Sequence, residues 1–222
     1  MLVLENVCKT LPGTPPRRLL DGICLRAEAG TWIGIRGESG VGKSTLLNLI
    51  AGLERPDSGR LELDGVDLAG LDENSAAHLR RRSMGFVFQA FHILPHLSAA
   101  QNVELCMLLN GVPAPERARR AAQMLAAVGM EGRGTARPAQ LSGGELQRIA
   151  IARALAHQPR LVLADEPTGN LDADTAAAVL QLLSRQVRAQ ASLGIMVTHS
   201  AEACAMCDRV YLLTRAGRLQ AD

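Results

Sequence analysis

The sequence predicts an α/β fold in which helices flank a parallel sheet, with an N-terminal antiparallel β layer and a small helical lobe. Strand patterns alternate with helical patterns along most of the chain, which is typical of a parallel sheet with helices on both faces. Residues 161–164 form an apolar run between Pro159 and Asp165, as in a strand buried on both faces. Asp64-Gly65 separates two short strand patterns and indicates a hairpin turn.

The predicted strands are short alternating or apolar runs bounded by glycine, proline or polar residues. In chain order they cover residues 2–7, 19–27, 31–36, 60–63, 66–68, 84–88, 161–164, 195–198 and 210–214. The predicted helices have apolar residues at helical spacing and cover residues 43–51, 72–82, 99–128, 143–157, 174–190 and 201–206. We expect Gly111, Pro113 and Pro115 to break the third helix.

These elements predict a single domain over residues 1–222 that has two parts. A chain of this length can form one large domain or a core with a smaller lobe. The sheet core is expected over residues 1–88 and 159–222, and the helical lobe over residues 89–158.

The composition argues against a nucleic-acid-binding protein. The chain has 24 Lys and Arg residues against 22 Asp and Glu residues, so its net charge is only +2. That excess is too small to indicate binding to a phosphate backbone. Five residues are aromatic, which leaves no set of stacking platforms for single-stranded bases. We therefore expect no nucleic-acid partner.

Neither a membrane helix nor a disulfide framework is expected. No stretch approaches the roughly 18 consecutive apolar residues of a membrane span, and no basic segment precedes an apolar run at the start. The five cysteines are odd in number and scattered, which favours a reducing compartment. Cys204 and Cys207 form a C-x-x-C pair, but no second pair lies at metal-ligand spacing. We interpret them as core residues rather than a redox or metal site.

A phosphate-binding pattern follows the third predicted strand. Residues 37–44 match G-x-x-x-x-G-K-[ST] with no mismatch and open the first predicted helix. Backbone N–H groups of such a turn point at phosphate oxygens, Lys43 reaches the β- and γ-phosphates, and the Ser44 hydroxyl ligates Mg²⁺. The alternative is a glycine-rich turn with an incidental lysine, but Lys43 is one of only two lysines in the chain. The residues expected to bind the nucleotide are Gly37, Glu38, Ser39, Gly40, Val41, Gly42, Lys43, Ser44 and Thr45.

Acidic residues and a histidine follow two other predicted strands. Asp165 and Glu166 come at the end of residues 161–164, at the carboxyl edge of the sheet where ligands bind in such folds. Asp165 is placed to hold Mg²⁺ and Glu166 to polarise an attacking water. His199 closes residues 195–198 at the same edge and could contact a γ-phosphate. Solvated acids at a strand end and a structural histidine are the alternatives.

Several motifs, in order, resemble those of the ATP-binding cassette ATPases. The run Leu141-Ser142-Gly143-Gly144-Glu145 is similar to the family's signature, and Ser-Gly-Gly opening a helix is a second anion cradle. Gln89, Asp172 and His199 match, in order, its Q-loop, D-loop and switch histidine, in addition to the phosphate loop and the acidic strand end. The resemblance spans essentially the whole chain and implies a P-loop NTPase fold with a RecA-like core.

The resemblance implies an ATPase that works as a head-to-tail dimer, with itself or with a homologous subunit. ATP and Mg²⁺ are the implied cofactors, and Glu166 and His199 the implied catalytic residues. Gln89 would join Ser44 and Asp165 around Mg²⁺. The phosphate loop of one chain would face the signature of the other, so that ATP binding closes the dimer and hydrolysis reopens it. The signature residues that would act in trans are Ser142, Gly143, Gly144 and Glu145.

The resemblance also implies an integral membrane permease as partner. Residues 91–96 form an apolar patch in a predicted loop just after Gln89, and the stretch from Gln89 to Leu97 is similar to the groove that receives a permease helix. The alternative is that these side chains pack under the helical lobe. The implied location is peripheral, on the cytoplasmic face of the inner membrane.

Residues 85–89 and 166–172 are most similar to the branch of the family that serves lipoprotein release, macrolide export and cell division. This resemblance implies an export or extrusion role. A soluble cassette ATPase acting on nucleic acid or ribosomes is the alternative, but the chain has neither a second cassette nor a long coiled-coil insertion. A small-molecule kinase would leave Ser142–Glu145 and His199 without a role.

One position departs from the family pattern. The family usually places an aromatic residue near Thr10 and Leu11 to stack on adenine, whereas this chain has Leu11-Pro12. Stacking contributes about 0.5–1.5 kcal/mol beyond area burial. We therefore expect weaker ATP binding and a looser choice between ATP and GTP, with Leu11 as an apolar substitute.

Overall fold

The computed structural model describes all residues from Met1 to Asp222 and has ten strands, seven α-helices and one 3₁₀ turn. The strands are β1 Leu2–Leu11, β2 Arg17–Ala27, β3 Trp32–Arg36, β4 Ser58–Leu63, β5 Val66–Asp67, β6 Met84–Phe88, β7 Leu161–Asp165, β8 Leu193–Thr198, β9 Arg209–Leu213 and β10 Leu219–Ala221. The helices are α1 Lys43–Ile50, α2 Glu73–Ser83, α3 Ala99–Leu109, α4 Ala114–Ala127, α5 Gly143–Leu155, α6 Ala173–Ala189 and α7 Ala201–Cys204. The 3₁₀ turn is Pro138–Gln140.

Two sheets form the framework, as the sequence predicts. Five strands of the six-stranded sheet are parallel, in the order β9-β3-β8-β7-β6, and β10 adds an antiparallel edge beside β9. The second sheet is antiparallel in the order β2-β1-β4-β5. The carboxyl ends of β3, β8 and β7 therefore lie side by side. This edge receives the phosphate loop after β3, the acidic pair at the end of β7 and the histidine after β8.

Two hydrophobic cores lie on opposite faces of the parallel sheet. Leu161 and Leu163 of β7 face a core shared with α1 and the antiparallel sheet. Val162 and Ala164 face the other core, which includes side chains of α3 to α6. Because successive strand residues point to opposite faces, a strand buried on both sides needs a continuous apolar run. This explains why residues 161–164 have no polar member.

The helical segment differs from its prediction in detail. The break falls between Leu109 and Ala114, where Asn110 ends α3 and Pro113 precedes α4. Pro115 does not break the helix, because it lies in the first turn of α4, where the missing N–H has no partner to lose. Helix α5 packs against α3 and α4 on one side and against β6 and α6 on another. The proposed boundary of the helical lobe stays a prediction.

Other differences fall at strand and helix ends. β1 extends to Leu11, four residues beyond its predicted end, because it continues to pair with β2 through register shifts. β10 was not predicted, since a three-residue edge strand carries no apolar pattern. α7 ends at Cys204, two residues earlier than predicted. No helix of the structure combines the length and the apolar character that crossing a membrane requires.

The C-x-x-C pair lies against β3. A Cβ placed on Gly34 would be 2.9 Å from the Cys207 Sγ and 3.2 Å from the Cys204 Sγ, so both thiols pack on this glycine. Burial raises the pKa of Cys204, and it raises the pKa of Cys207 to about 12. Thiols with raised pKa values are poor nucleophiles and poor metal ligands. Both thiols thus pack on Gly34 of β3, and their interpretation as core residues rests on that packing.

Candidate active site

The phosphate loop connects β3 to α1 and needs its glycines for space. Gly40 and Gly42 have φ angles of 76° and 107°, which side-chain-bearing residues rarely adopt. A Cβ on Gly37 would lie 2.7 Å from the Leu213 carbonyl oxygen, and one on Gly42 would lie 2.8 Å from the Leu19 Cγ. No side chain caps α1, and no acidic residue occupies its first turn. The helix amino end is thus available to an anion.

Lys43 is held inside the loop. Its Nζ donates hydrogen bonds to the carbonyl oxygens of Gly37, at 2.8 Å, and Glu38, at 3.1 Å. The same Nζ is 3.8 Å from the Glu166 Oε1, and both side chains are largely buried. The ammonium is therefore fixed between the loop and the end of β7. A compact cation in this position suits the oxygens of a transferred phosphate.

The loop and the end of β7 enclose one cavity of about 350 Å³. Its two apolar lining residues are Leu11 and Leu19, from the antiparallel sheet. The remaining lining residues are Ser39, Gly40, Gly42, Lys43, Ser44, Thr45, Asp165 and Glu166. The cavity therefore has a polar end at the phosphate loop and an apolar end at β1 and β2. A larger groove of about 750 Å³ lies at the amino ends of β6 and β7, away from these groups.

Asp165 ends β7 beside the phosphate loop. Burial raises the pKa of its carboxyl, and the negative charge of Glu166 acts in the same direction. The Ser44 hydroxyl and the Lys43 ammonium oppose that rise in the pKa. No group of three or more His, Cys, Asp or Glu side chains is arranged so that it could hold a metal ion by itself. A single carboxylate and a hydroxyl fit Mg²⁺, which keeps several waters and binds substrate phosphates rather than entering an all-protein cage.

Glu166 is fixed by its backbone and by two neighbours. Its φ of 46° is in the left-handed region, which is uncommon for a residue with a side chain. Its Oε2 accepts hydrogen bonds from the Thr198 Oγ1, at 2.9 Å, and from the His199 N–H, at 3.3 Å. The His199 Nδ1 lies 3.0 Å from the Glu166 Oε1. The structure therefore brings Glu166 and His199 together, with the carboxylate positioned beside Lys43.

Gln89 follows β6 and contacts a different group. Its Nε2 donates a hydrogen bond to the Asn170 Oδ1, and the Asn170 Nδ2 donates one to the Gln89 carbonyl, both at 3.0 Å. A Cβ on Gly169 would lie 2.7 Å from the Gln89 Nε2, so this glycine allows the close approach. The Gln89 amide forms no hydrogen bond with Ser44 or Asp165. The structure thus groups Gln89 with the loop after Glu166 rather than with the other expected Mg²⁺ ligands.

The signature residues form a separate helix start. Ser142 caps α5, its Oγ accepting from the Glu145 N–H at 3.3 Å, while Glu145 Oε2 accepts from the Ser142 N–H at 2.9 Å. Hydrogen bonding with Ser142 lowers the pKa of Glu145. A Cβ on Gly144 would lie 2.6 Å from the Thr175 Cγ2, which requires glycine there. None of these residues lines the cavity of the phosphate loop.

Asp172 caps a second helix outside the cavity. Its Oδ1 accepts a hydrogen bond from the Thr175 N–H at 3.0 Å at the start of α6, and this bond lowers the pKa of Asp172. Thr175 also packs on Gly144, so Asp172 and the signature share a neighbour. Asp172 therefore lies with the signature, not with the phosphate loop.

Three residues in or near the site were missed by sequence reasoning. Thr198 holds Glu166, and Asn170 holds Gln89. Gln147 is fully buried and donates hydrogen bonds from α5 to the Pro167 carbonyl and, at 3.4 Å, to the Phe88 carbonyl. Thr198 and Asn170 stand next to or within the motifs, so their position was a usable signal. Gln147 is a polar residue inside a helix, and its sequence position gives no signal that it is buried.

Comparison with known proteins agrees with these motifs. The sequence profile of the ABC transporter family matches residues 20–169. The chain is 44% identical to the ABC transporter ATP-binding protein YvrO of Bacillus subtilis and 46% identical to the lipoprotein-releasing system ATP-binding protein LolD of Ruegeria pomeroyi. In both cases all of the chain is matched, with 96% of YvrO and 97% of LolD. It is 43% identical to the macrolide export protein MacB of Brucella abortus, but spans only 34% of it.

Solved structures give the same result for the fold. The chain superposes on the ATP-binding cassette MJ0796, in a dimeric post-hydrolysis state bound to ADP and Pi, with a TM-score of 0.89. The two chains are 36% identical, and the match covers 100% of this chain and 98% of the other. The expected fold class, family and enzymatic activity are thereby confirmed. The chain belongs to the ABC transporter family, as an ATP-binding subunit that hydrolyses ATP.

Proposed function

We propose that two chains complete each active site, head to tail, and that ATP is bound between them. The observation that carries this proposal is the separation of two anion cradles within one chain. The phosphate loop, Lys43 and Glu166 line one cavity, whereas Ser142 and the amino end of α5 lie outside it. A second chain can bring its signature to the open side of the first chain's phosphate loop. The dimeric state of the MJ0796 cassettes supports this arrangement.

Within that site the residues have distinct roles in hydrolysis. The Glu166 carboxylate orients the attacking water and accepts its proton as the water oxygen bonds to the γ-phosphorus, while the bond from that phosphorus to the β–γ bridging oxygen breaks and ADP leaves with the electron pair. Lys43 and the loop N–H groups stabilise the negative charge on the phosphoryl oxygens. Ser44 and Asp165 would hold Mg²⁺, which neutralises charge on the β- and γ-phosphates when bound. Thr198 and His199 keep the Glu166 carboxylate in place.

Replacement of Glu166 tests its role as the base. Glu166→Gln keeps the size of the side chain but cannot accept the proton, so we expect hydrolysis to fall at least about a hundredfold while ATP still binds. Multiple- and single-turnover hydrolysis, with ATP binding measured by calorimetry, checks this. Glu202→Gln, an exposed glutamate on α7 that contacts Ser200, is the matched control. Undiminished hydrolysis by Glu166→Gln would contradict the assignment.

We further propose that a membrane permease docks near the stretch from Gln89 to Leu97. Leu94 is 43% exposed, and Leu108 and Leu109 of the neighbouring α3 are 51% and 55% exposed. Such exposed apolar side chains favour a protein contact. The names of the LolD and MacB relatives, a releasing system and an exporter, support an export role. The chain would then be a peripheral protein on the cytoplasmic face of the inner membrane.

A charge placed on this surface tests the docking proposal. Leu94→Glu puts a carboxylate into the expected contact without touching the nucleotide cavity. We expect tagged Leu94→Glu to lose the membrane protein that the unmodified chain captures from detergent-solubilised native membranes, with ATP binding unchanged. Leu53→Glu, at an exposed leucine after α1, is the control for a charge elsewhere. Equal capture by Leu94→Glu would place the contact on another surface.

A further inference from the structure

Arg17 lies at the apolar end of the nucleotide cavity. The register of β1 and β2 pairs Arg17 directly with Leu11. Directly paired residues on antiparallel strands project their side chains from the same face. Leu11 lines the cavity, so Arg17 projects on the cavity side of these strands.

The Arg17 side chain reaches from this strand to the phosphate loop. Its Nη2 donates a hydrogen bond to the Gly40 carbonyl oxygen at 3.1 Å, and Gly40 is itself a lining residue. Arg17 forms no ion pair, whereas the adjacent Arg18 is 3.1 Å from the Asp21 carboxylate. The Arg17 guanidinium is therefore an exposed cation without a counter-ion, held at the mouth of the cavity by one backbone bond.

The polarity of the cavity decides which part of the nucleotide this cation meets. Phosphates belong at the end formed by Lys43 and the loop N–H groups, so the base of the same nucleotide falls at the end formed by Leu11 and Leu19. No aromatic side chain lines the cavity. A guanidinium is planar and weakly hydrated, and it packs favourably on aromatic faces.

We infer that Arg17 packs its guanidinium against the face of the nucleobase, with Leu11 beside it, and that it is a specificity-determining residue of this site. The inference rests on the nucleotide site proposed above. A contact with the face of the base depends on ring area rather than on edge hydrogen bonds. Purine nucleotides are thus favoured over pyrimidine nucleotides, while adenine and guanine are bound about equally.

Calorimetric titration of the full chain with Mg-ADP, Mg-GDP and inorganic pyrophosphate tests the inference. Arg17→Ala should weaken ADP and GDP binding by about two- to fivefold, the range of an exposed cation–π contact. Pyrophosphate, which has no base, should bind equally well to Arg17→Ala and to the unmodified chain. Arg17→Lys should restore less than half of the lost ADP and GDP affinity, because lysine keeps the positive charge but lacks the planar guanidinium group. Arg18→Ala is the matched control and should bind ADP normally.

Each other outcome overturns a different statement. Unchanged ADP binding by Arg17→Ala would remove the role of Arg17. An equal loss for pyrophosphate and ADP would assign the contact to the phosphates, and full rescue by Arg17→Lys would assign it to charge alone. If the unmodified chain bound neither ADP nor ATP, the nucleotide site itself would be wrong. Thermal unfolding of each variant shows whether it is folded.

Discussion

At the scale of single residues, the site depends on side chains fixed by close neighbours. Glu166 has a left-handed backbone, and its carboxylate accepts hydrogen bonds from Thr198 and from the His199 backbone. Strained backbone persists where surrounding contacts over-determine it, and it occurs often at functional sites. The Thr198 hydroxyl, which also accepts from the Ser200 N–H at 3.1 Å, is the buried member of this set. We therefore expect Thr198 to position the proposed base, Glu166.

Removing that hydroxyl tests the positioning role. Thr198→Val preserves shape but leaves the Glu166 carboxylate short of a donor, so we expect the hydrolysis rate to fall about tenfold. The affinity for ATP should change by less than about twofold, because Thr198 does not line the cavity. Single-turnover hydrolysis measures the first effect and calorimetry the second. Thr198→Ser retains the hydroxyl and should stay near the parent rate; equal rates for Val and Ser would contradict the role.

The raised pKa of Asp165 gives a prediction for stability. Folding raises the pKa of Asp165, so the folded chain binds the proton of this carboxyl more tightly than the unfolded chain does. The resulting contribution to the free energy of unfolding is present at low pH and is lost as pH rises through the folded pKa. At pH 7, above the ordinary pKa of this side chain, the burial of Asp165 therefore lowers the stability of the nucleotide-free chain. Asp165→Asn should raise the melting temperature at pH 7, by an amount that shrinks towards pH 4, and should abolish Mg²⁺-dependent ATP binding. A melting temperature of Asp165→Asn below that of the unmodified chain at pH 7 would contradict the predicted direction of the effect.

Restoring an aromatic residue tests the departure at Leu11. Leu11→Tyr places a ring at the apolar end of the cavity, where stacking is worth about 0.5–1.5 kcal/mol. Its affinity for ADP should therefore rise by about two- to tenfold. Leu11→Met, which adds no ring, is the control. An affinity unchanged by Leu11→Tyr would place the base elsewhere.

At the scale of elements, helix α5 connects the signature with the loop after Gln89. It has 13 residues and is thus about 20 Å long. Ser142 lies at its start, and near its end Arg153 donates hydrogen bonds to the carbonyl oxygens of Phe91, at 2.9 Å, and His92. Burial lowers the pKa of Arg153, and no carboxylate pairs with it. The signature and the proposed docking loop are therefore attached to one rigid element.

Loss of the Arg153 contacts should release that loop. Arg153→Met removes both donors, and Phe91 and His92 have positive φ angles that then lose their anchor. Hydrogen exchange of residues 89–97 should become at least about tenfold faster, while the phosphate loop remains protected as before. In Arg153→Lys, which keeps one compact donor, these residues should exchange at a rate between those of the unmodified chain and Arg153→Met. Unchanged exchange in Arg153→Met would show that packing alone orders this segment.

The elements also show what a sequence can and cannot predict. The phosphate loop, Asp165, Glu166 and His199 could be predicted because each follows a parallel strand, and parallel strands place such residues on one edge. Contacts that cross between elements could not be predicted. Arg153 and Gln147 resemble any polar residues of a helix, and their buried partners are backbone carbonyls from distant segments. β10 was missed because an edge strand of three residues has no burial pattern.

At the scale of the whole molecule, one chain supplies only part of the proposed site. One chain holds the phosphate loop, Lys43 and Glu166 in a single cavity, and it presents Ser142 outside that cavity. ATP that bridges the two would bind the closed dimer more tightly than the open form, so its binding drives closure. The exposed apolar residues near the proposed docking loop would then face the membrane partner. In this proposal, hydrolysis would then release the dimer.

The most direct test of this central claim is the mass of Glu166→Gln in solution, measured by light scattering with and without Mg-ATP. We predict a monomer without nucleotide and a stable dimer at saturating Mg-ATP, because the nucleotide is bound but not hydrolysed. Ser142→Arg in the same background should bind ATP and stay monomeric. A Glu166→Gln chain that remains monomeric at saturating Mg-ATP and high protein concentration would contradict the shared site.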